Sequence, residues 1–511
     1  MTPRNQDESA AATLRDGFDL HQSGDLKGAE RCYRRILKKD KTHVEALYLL
    51  GSLHLQTGDY KRAEVGLRAA LAEQPTHAQA LYNLARVLMD TDRYAEAETQ
   101  LHLVISAQPN NVSALRNLGV TCLSLGKSKA AAPPLETAVQ LDPMSADTWC
   151  DLGLARSQLG DDAGAEQAFS QAVTLDPALA RARYNRGQLR LRNTNFTEGW
   201  ADYECRKVDP KSGFEPRPYD YPVWQGEALA GKTILVSGEQ GLGDQVLHAG
   251  MIKDLTERAA QVFLESEPRL EALLARSFPN VTVVPLTSPP HTTVPTSNVD
   301  FQVSSASLGQ WLRPDSASFT SAPYLAADVA QVESLRQGYK KTYGDRPLIG
   351  LSWCSHRVGL GPHKSTDLVN NWQPIFEAQP EAVFISLQYG ARSDVDLNIA
   401  AASQAFPNIT IVRDPHIDTN KDIDAVVAQI AALDIVVSVS NTTVHLAGAL
   451  GVPVWTLVPL GPSRLWYWLN RQPDSLWYPS MRLAWQEEIG VWDAAVDKVA
   501  VALSDWEPER I

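Results

Sequence analysis

Two textures divide this chain of 511 residues. Over roughly the first 200, apolar positions recur at helical spacing and the pattern repeats every 34 residues. Pro75, Pro109, Pro143 and Pro177 mark the period; so do Gly51, Gly119, Gly153 and Gly187, with Ala85 in the remaining slot, and Ala29, Ala63, Ala97, Ala131 and Ala165. Small side chains let two antiparallel helices approach closely, large ones such as Leu81, Leu115 and Trp149 fill the space around them, and proline ends the second helix. The period predicts helix pairs at 10–43, 44–77, 78–111, 112–145 and 146–179, then a modified, capping unit at 180–206. From Lys232 onward, short β-branched runs alternate with helical patterns. They predict strands at 233–237, 262–265, 281–284, 299–303, 348–353, 383–387, 409–412, 435–439 and 452–458, and helices near 329–343 and 487–503. Buried apolar strands alternating with helices predict parallel sheets covered on both faces.

The 34-residue unit, with a small residue in each helix and a closing proline, resembles the tetratricopeptide repeat. Such units stack into a solenoid whose concave face is lined by the first helix of each pair. Asn83, Asn117, Asp151 and Asn185 recur there with the same period, and Leu49 interrupts the series. Asparagine costs up to ~0.7 kcal/mol against alanine inside a helix. Two readings offset that cost: the amides grip an extended peptide through donor and acceptor together, or they cross-link neighbouring helices. In the O-GlcNAc transferases an asparagine ladder at this repeat position holds acceptor polypeptide, and that resemblance implies the first reading here.

Residues 207–231 contain four prolines, three glycines and Tyr219, Tyr221 and Trp224, and read as an ordered connection because aromatics are depleted in disordered segments. A polar stretch at 285–325 then separates two Rossmann-like lobes, 232–343 and 344–486, with 487–511 as a terminal helical segment. The fold class is an α-solenoid followed by an α/β half.

Composition narrows the partners. Against 47 Lys and Arg stand 60 Asp and Glu, a net charge of −13. Nucleic acid and anionic membrane surfaces select for the opposite balance. The five cysteines are spread without a paired motif, which suggests neither a disulfide framework nor a zinc site. The opening residues lack an apolar run and no later stretch is long enough to span a bilayer, so no signal peptide and no membrane segment are expected. The expected setting is cytoplasmic.

Ligands of doubly wound sheets bind beyond the carboxyl ends of the strands. After the first strand the turn reads SGEQGLGDQ, with Asp244 at the start of the next helix. A carboxylate there caps the helix or, facing a cleft, serves as a general base. After the strand at 348–353, His356, Arg357, His363 and Lys364 stand in a glycine-containing loop able to wrap a phosphate, or else a solvated excursion. Ser440, Asn441, Thr442 and Thr443 follow the strand at 435–439, where hydroxyls, an amide and backbone N–H groups at a helix start form an anion site. His445 in that helix is either a hydrogen-bonded structural residue or part of the site. Asp394 and Asp396 are a weak metal candidate, and no metal site is expected.

The order of a Gly-x-Gly-Asp turn, a strand ending in tryptophan with a basic loop, FISLQ, and the block DIVVSVSNTTVHLAGALGVPVW (434–455) resembles the heptosyltransferase-like family 9 glycosyltransferases of the GT-B fold. The resemblance covers 232 to about 503. It implies that Asp244 is the catalytic base and that Gly243, Trp353, Arg357, His363, Lys364, Gln388, Ser440, Asn441, Thr442, Thr443 and His445 surround the donor. It also implies that the last helix crosses back onto the first lobe. Ser440 stands where the family carries aspartate. Fused to a repeat arm, with the motifs GWADYECR and LWYPSMRL, the catalytic half is similar to a bacterial group that includes flagellin glycosyltransferases. The implied activity is inverting transfer of a sugar from a nucleotide-activated donor, an NDP-hexose or a CMP-nonulosonic acid, to Ser or Thr of a protein, flagellin first. No cofactor is implied. The rivals are transfer to a lipid or oligosaccharide, and a scaffold whose catalytic half has decayed.

Overall fold

The computed structural model describes residues 3–294, 298–319, 322–355 and 364–508, with side chains from Ala10 onward. Two compact units emerge, Met1–Ala182 and Arg183–Ile511. The division falls inside the helix Ala180–Arg192. Residues 183–206, assigned from the sequence to the arm, therefore belong with the α/β half.

In the first unit, helices Val44–Gln56, Ala78–Asp90, Val112–Ser124 and Ala146–Leu159 alternate with Tyr60–Glu73, Tyr94–Ala107, Ser128–Leu141 and Asp162–Leu175, after a first pair Pro3–Gln22 and Leu26–Lys39. The period is written into the caps as well as the core. His43, His77, Asn111 and Ser145, each 34 residues on, accept a backbone N–H at the start of the first helix of a pair; this satisfies donors that a helix N-terminus otherwise leaves open. Each pair then turns through a left-handed residue: Gly24, Gly58, Asp92, Gly126 and Gly160, with Thr194 continuing the series in the second unit. The small residues are needed for close approach, since a Cβ on Gly119 would stand 2.3 Å from Leu135.

The second unit holds two parallel sheets. Strands β1 (Thr233–Ser237), β2 (Gln261–Ser266), β3 (Val281–Pro285) and β4 (Phe301–Ser304) form one, in the order β3-β2-β1-β4. The other contains β5 (Leu348–Ser352), β6 (Val383–Ser386), β7 (Thr410–Val412), β8 (Ile435–Val439), β9 (Val454–Val458) and β10 (Met481–Trp485), ordered β10-β9-β8-β5-β6-β7. That second order is the doubly wound arrangement, whose two halves diverge between β5 and β8. Strand β10 extends it by one strand beyond the sequence expectation, because Met481–Trp485 pairs along β9.

The connecting segment is tied down at each aromatic. Arg217 and Tyr219 bind the buried Glu265 carboxylate at 2.8 and 2.6 Å, and Gln302 donates to the carbonyls of Tyr219 and Tyr221. Trp200 inserts from the helix Phe196–Tyr203 and donates to the Arg313 carbonyl at 2.8 Å. The terminal helix, Asp493–Ser504, differs from expectation. Its apolar face, Ala495, Val496, Val499, Ala500 and Leu503, packs into the same core as Ile349, Trp372 and Leu457 of the second sheet's lobe, so burial keeps it there instead of on the first lobe. Among the described residues no helix is long and apolar enough to cross a membrane.

Candidate functional site

Each sheet has one place where neighbouring strands lead away from each other: β1 and β4 in the first, β5 and β8 in the second. The turn after β1 opens the helix Leu242–Ala249, and the turn after β8 opens the helix Thr442–Leu450. The two helix starts face each other at Gly243. A Cβ there would stand 3.0 Å from His445 Cδ2 and 3.5 Å from Thr442 Oγ1, so a larger residue would have to push the imidazole back by a few tenths of an ångström. Helix N-termini carry partial positive charge and open N–H groups, and two of them close together favour an anion beside them.

Asp244 sits half-buried in the first turn of its helix, one residue past this contact. The N-cap expected at Asp244 is Gly241 instead; Asp244, the third helical residue, reaches back with Oδ2 to accept the Gly241 N–H at 3.1 Å. Its carboxylate also bears on Tyr184 and Tyr478, raising both phenols after the larger effect of burial. Asp244 thus lies where the Tyr184 helix, the first lobe and the second lobe converge.

On the opposing side, several residues expected around a donor turn inward. Gln388 is buried; its Oε1 accepts the N–H groups of Trp353 and Cys354 at 2.9 and 2.8 Å, and its Nε2 donates to the Cys354 and Tyr389 carbonyls. Asn441 is buried beside it, donating to Ser352 Oγ at 2.7 Å and accepting from Thr443 N at 3.0 Å. Ser440 Oγ accepts the Trp468 indole N–H at 2.7 Å, and the Trp353 ring lies in the core. These four shape the turns after β5 and β8 from behind. Thr442, half-buried, and His445, buried, lie against Gly243 of the first lobe, with Lys364 close enough to act on His445. Arg357 and His363, with His356, lie outside the described residues.

His445 is enclosed by aromatic rings: it stacks on Trp468 with centroids 5.2 Å apart, and its Nδ1 lies 2.9 Å from the Tyr478 hydroxyl. Burial pushes its pKa down to about 3, helped by the charges of Lys364 and His248. The imidazole is therefore neutral at physiological pH and contributes hydrogen bonding without charge. Positive charge near it comes from Lys364, itself buried.

Sequence reading missed what holds the first turn. Glu239 is buried and bound by both ends of Arg206, Nε to Oε2 at 2.9 Å and Nη2 to Oε1 at 2.8 Å. Burial alone would raise that carboxyl, yet the guanidinium keeps it below its ordinary value. The only sequence signal was a glutamate inside a glycine-rich turn and an arginine closing an aromatic motif.

The ladder residues carry the helix-to-helix bonds of the second reading, with Asn83 and Asn117 half-buried at the helix surface. Asn83 donates to Ser52 Oγ at 2.8 Å and Asn117 to the Tyr82 hydroxyl at 3.2 Å; Asp151 accepts from Arg116 and Arg181, both at 2.8 Å. Each link joins the first helices of successive pairs. Asn185 lies in the second unit, beside Tyr184. Asp396 is bound at both oxygens by Arg413, at 2.7 and 3.0 Å. Among the described residues no group of three or more acidic, histidine or cysteine side chains is arranged to hold a metal.

Known proteins resemble both units. The profile of the cilia and flagella-associated protein 70 middle TPR-like domain matches residues 17–131, and a tetratricopeptide repeat profile matches 146–179. Protein FlbA of Caulobacter vibrioides is 32% identical over 348 residues, taking in 64% of this chain and 56% of FlbA. The chain thus spans about half the length of that relative, and the match is too long for the first unit alone, so it reaches into the second. Solved structures with similarity include MamA (26% identical, 32% of this chain and 94% of MamA, TM-score 0.30). Another is YrrB, described as a TPR protein with an unusual peptide-binding site (21% identical, 35% and 93% covered, TM-score 0.32). A third is pilF of Pseudomonas aeruginosa (21% identical, 41% and 90% covered, TM-score 0.34). The chain carries tetratricopeptide repeats and is similar to FlbA over the matched stretch.

Proposed function

We propose that the α/β half is a GT-B glycosyltransferase. It transfers a sugar, with inversion, from a nucleotide-activated donor to Ser or Thr hydroxyls of a protein engaged by the repeat arm, flagellin being the leading candidate. The observation that supports this reading is the meeting of the two switch points at Gly243, which brings the first turn that holds Asp244 against the N-terminus of the helix Thr442–Leu450. Asp244 takes the proton of the acceptor hydroxyl as its oxygen bonds to the anomeric carbon, and the bond from that carbon to the nucleotide phosphate breaks. General-base assistance of this kind is worth roughly 10²- to 10⁴-fold. The departing phosphate gains negative charge, which the start of the Thr442–Leu450 helix and Lys364 are placed to stabilise. His445, neutral, offers a hydrogen bond to the same region. The donor is a substrate, and no resident cofactor enters the scheme.

Intact-mass analysis of flagellin co-produced with and without this protein tests the reading. An added mass that disappears with Asp244→Asn supports it; an added mass that survives that substitution removes Asp244 as the base. A non-catalytic scaffold is the second reading, favoured by Ser440, whose hydroxyl is already engaged by Trp468. No mass gain with either a UDP-hexose or a CMP-nonulosonic acid as donor would favour the scaffold, and a gain on a lipid or oligosaccharide instead of flagellin would move the acceptor class.

A further inference from the structure

The motif GWADYECR closes the repeat series in sequence, and in space it reaches the turn that presents Asp244. Arg206 is fully enclosed, and each of its five N–H groups has an acceptor: Nε and one Nη2 proton on Glu239, the other Nη2 proton on Ser307 Oγ at 2.8 Å, and the Nη1 protons on the Tyr203 carbonyl and Glu204 Oε1. Glu239 in turn accepts the Ala306 N–H at 2.8 Å, so the carboxylate is fastened to the start of the segment after β4 as well.

The next residue carries a second pin. Gln240 adopts a left-handed backbone, φ 63°, which a side chain other than glycine adopts only at a cost, and its Nε2 donates to the Tyr203 hydroxyl at 3.0 Å. Tyr203 is itself immobile: its ring packs edge-on to Trp200 and Trp466, and Arg206 lies 4.8 Å over its face. Three residues separate Gln240 from Asp244, whose carboxylate closes the turn onto Gly241 N. A short, strained turn pinned at two consecutive residues cannot shift without breaking one of these bonds.

We infer that Arg206 and Tyr203 are positioning residues for Asp244: acting through Glu239 and Gln240, they fix the setting of the turn that carries the carboxylate. The catalytic consequence rests on the glycosyltransferase reading above, whereas the holding of the turn rests on the geometry alone.

Three variants of the full chain test it. Gln240→Gly removes one pin and relieves the left-handed strain, so folding is not at risk. Tyr203→Phe deletes only the hydroxyl. Arg206→Met with Glu239→Leu removes both charges together, which avoids a lone buried ion. Amide hydrogen exchange is followed over 238–245, and transfer to purified flagellin is measured by intact mass over a range of donor concentrations with a UDP-hexose and a CMP-nonulosonic acid as donor probes. In each variant, exchange over 238–245 is expected to rise at least about tenfold, as loss of one hydrogen bond implies, with the rest of the second unit unchanged. The transfer rate is expected to fall about tenfold, in kcat with the donor KM unmoved. Unchanged exchange overturns the inference, and so does faster exchange with kcat unmoved. If the parent chain transfers neither sugar, the glycosyltransferase reading falls, and exchange alone decides whether the pins hold the turn.

Discussion

The two turns that meet at Gly243 are held by opposite chemistries. The turn after β1 is gripped by a charged pair, Arg206 and Glu239, reaching in from a segment 33 residues earlier in the chain. The turns after β5 and β8 are gripped by neutral amides, Gln388 and Asn441, which belong to the same sheet and satisfy its strand ends directly. A buried ion pair fixes direction strongly but fails badly when halved, whereas an amide clamp loses only its hydrogen bonds. The turn on the first lobe is therefore tied to a distant segment, and those on the second are self-contained.

The largest break in that comparison is Arg206→Ala, expected to cost about 3–5 kcal/mol in urea unfolding because it leaves Glu239 buried and unpaired. Restoring much of that loss with a second substitution, Glu239→Leu, would show that the charge and not the packing is responsible. Acidification acts next, and on both lobes. The pKa of His445 is pushed down to about 3, and that of His248, behind the first turn, to about 4, each mainly by burial. Above pH ~6.5 both are neutral in folded and unfolded chains alike; below it the unfolded chain takes up protons that the folded chain refuses, so stability falls as pH falls. Between pH 6.5 and 5 each histidine should remove about 2 kcal/mol, and His445→Gln should flatten the melting-temperature profile over that window. Equal slopes in variant and parent would place the pKa of His445 near its ordinary value.

Gln388→Leu should cost about 1–3 kcal/mol by leaving the N–H groups of Trp353 and Cys354 without their acceptor. If it matched Arg206→Ala, the contrast between charged and neutral clamps would be wrong. Ser440→Ala sets the lower bound, at about 1 kcal/mol for the lost Trp468 bond. All four are read by calorimetry or denaturant titration.

Much of this architecture is legible in the chain. The strands announce themselves because sheets buried on both faces demand near-continuous apolar runs such as Ile435–Val439, where Ser438 is the one polar residue, and the repeats because five units share one spacing. Strand β10 is hidden because Met481–Trp485 carries an arginine and follows a proline and a serine, so that only pairing along β9 reveals it. The Asp244 turn is legible as a place but not as a mechanism. A carboxylate that caps a helix and one that reaches back to the cap from the third helical residue have the same spelling, and here Asp244 is the second kind. The ladder was ambiguous for a similar reason: an amide at a helix surface binds whichever partner is near, and Ser52 and Tyr82 are already there. The Arg206 and Glu239 pair was invisible because nothing local connects the two residues.

The anchoring of the connecting segment bears on how the chain is made. Arg206 and Arg217 leave the ribosome before Glu239 and Glu265, the buried carboxylates they neutralise. During synthesis the cations wait, hydrated, for their anions, and the first sheet closes only onto a segment already emerged. A fragment begun at Lys232, where the α/β texture starts, would hold both carboxylates without a counter-ion, whereas one begun at Arg183 keeps every partner.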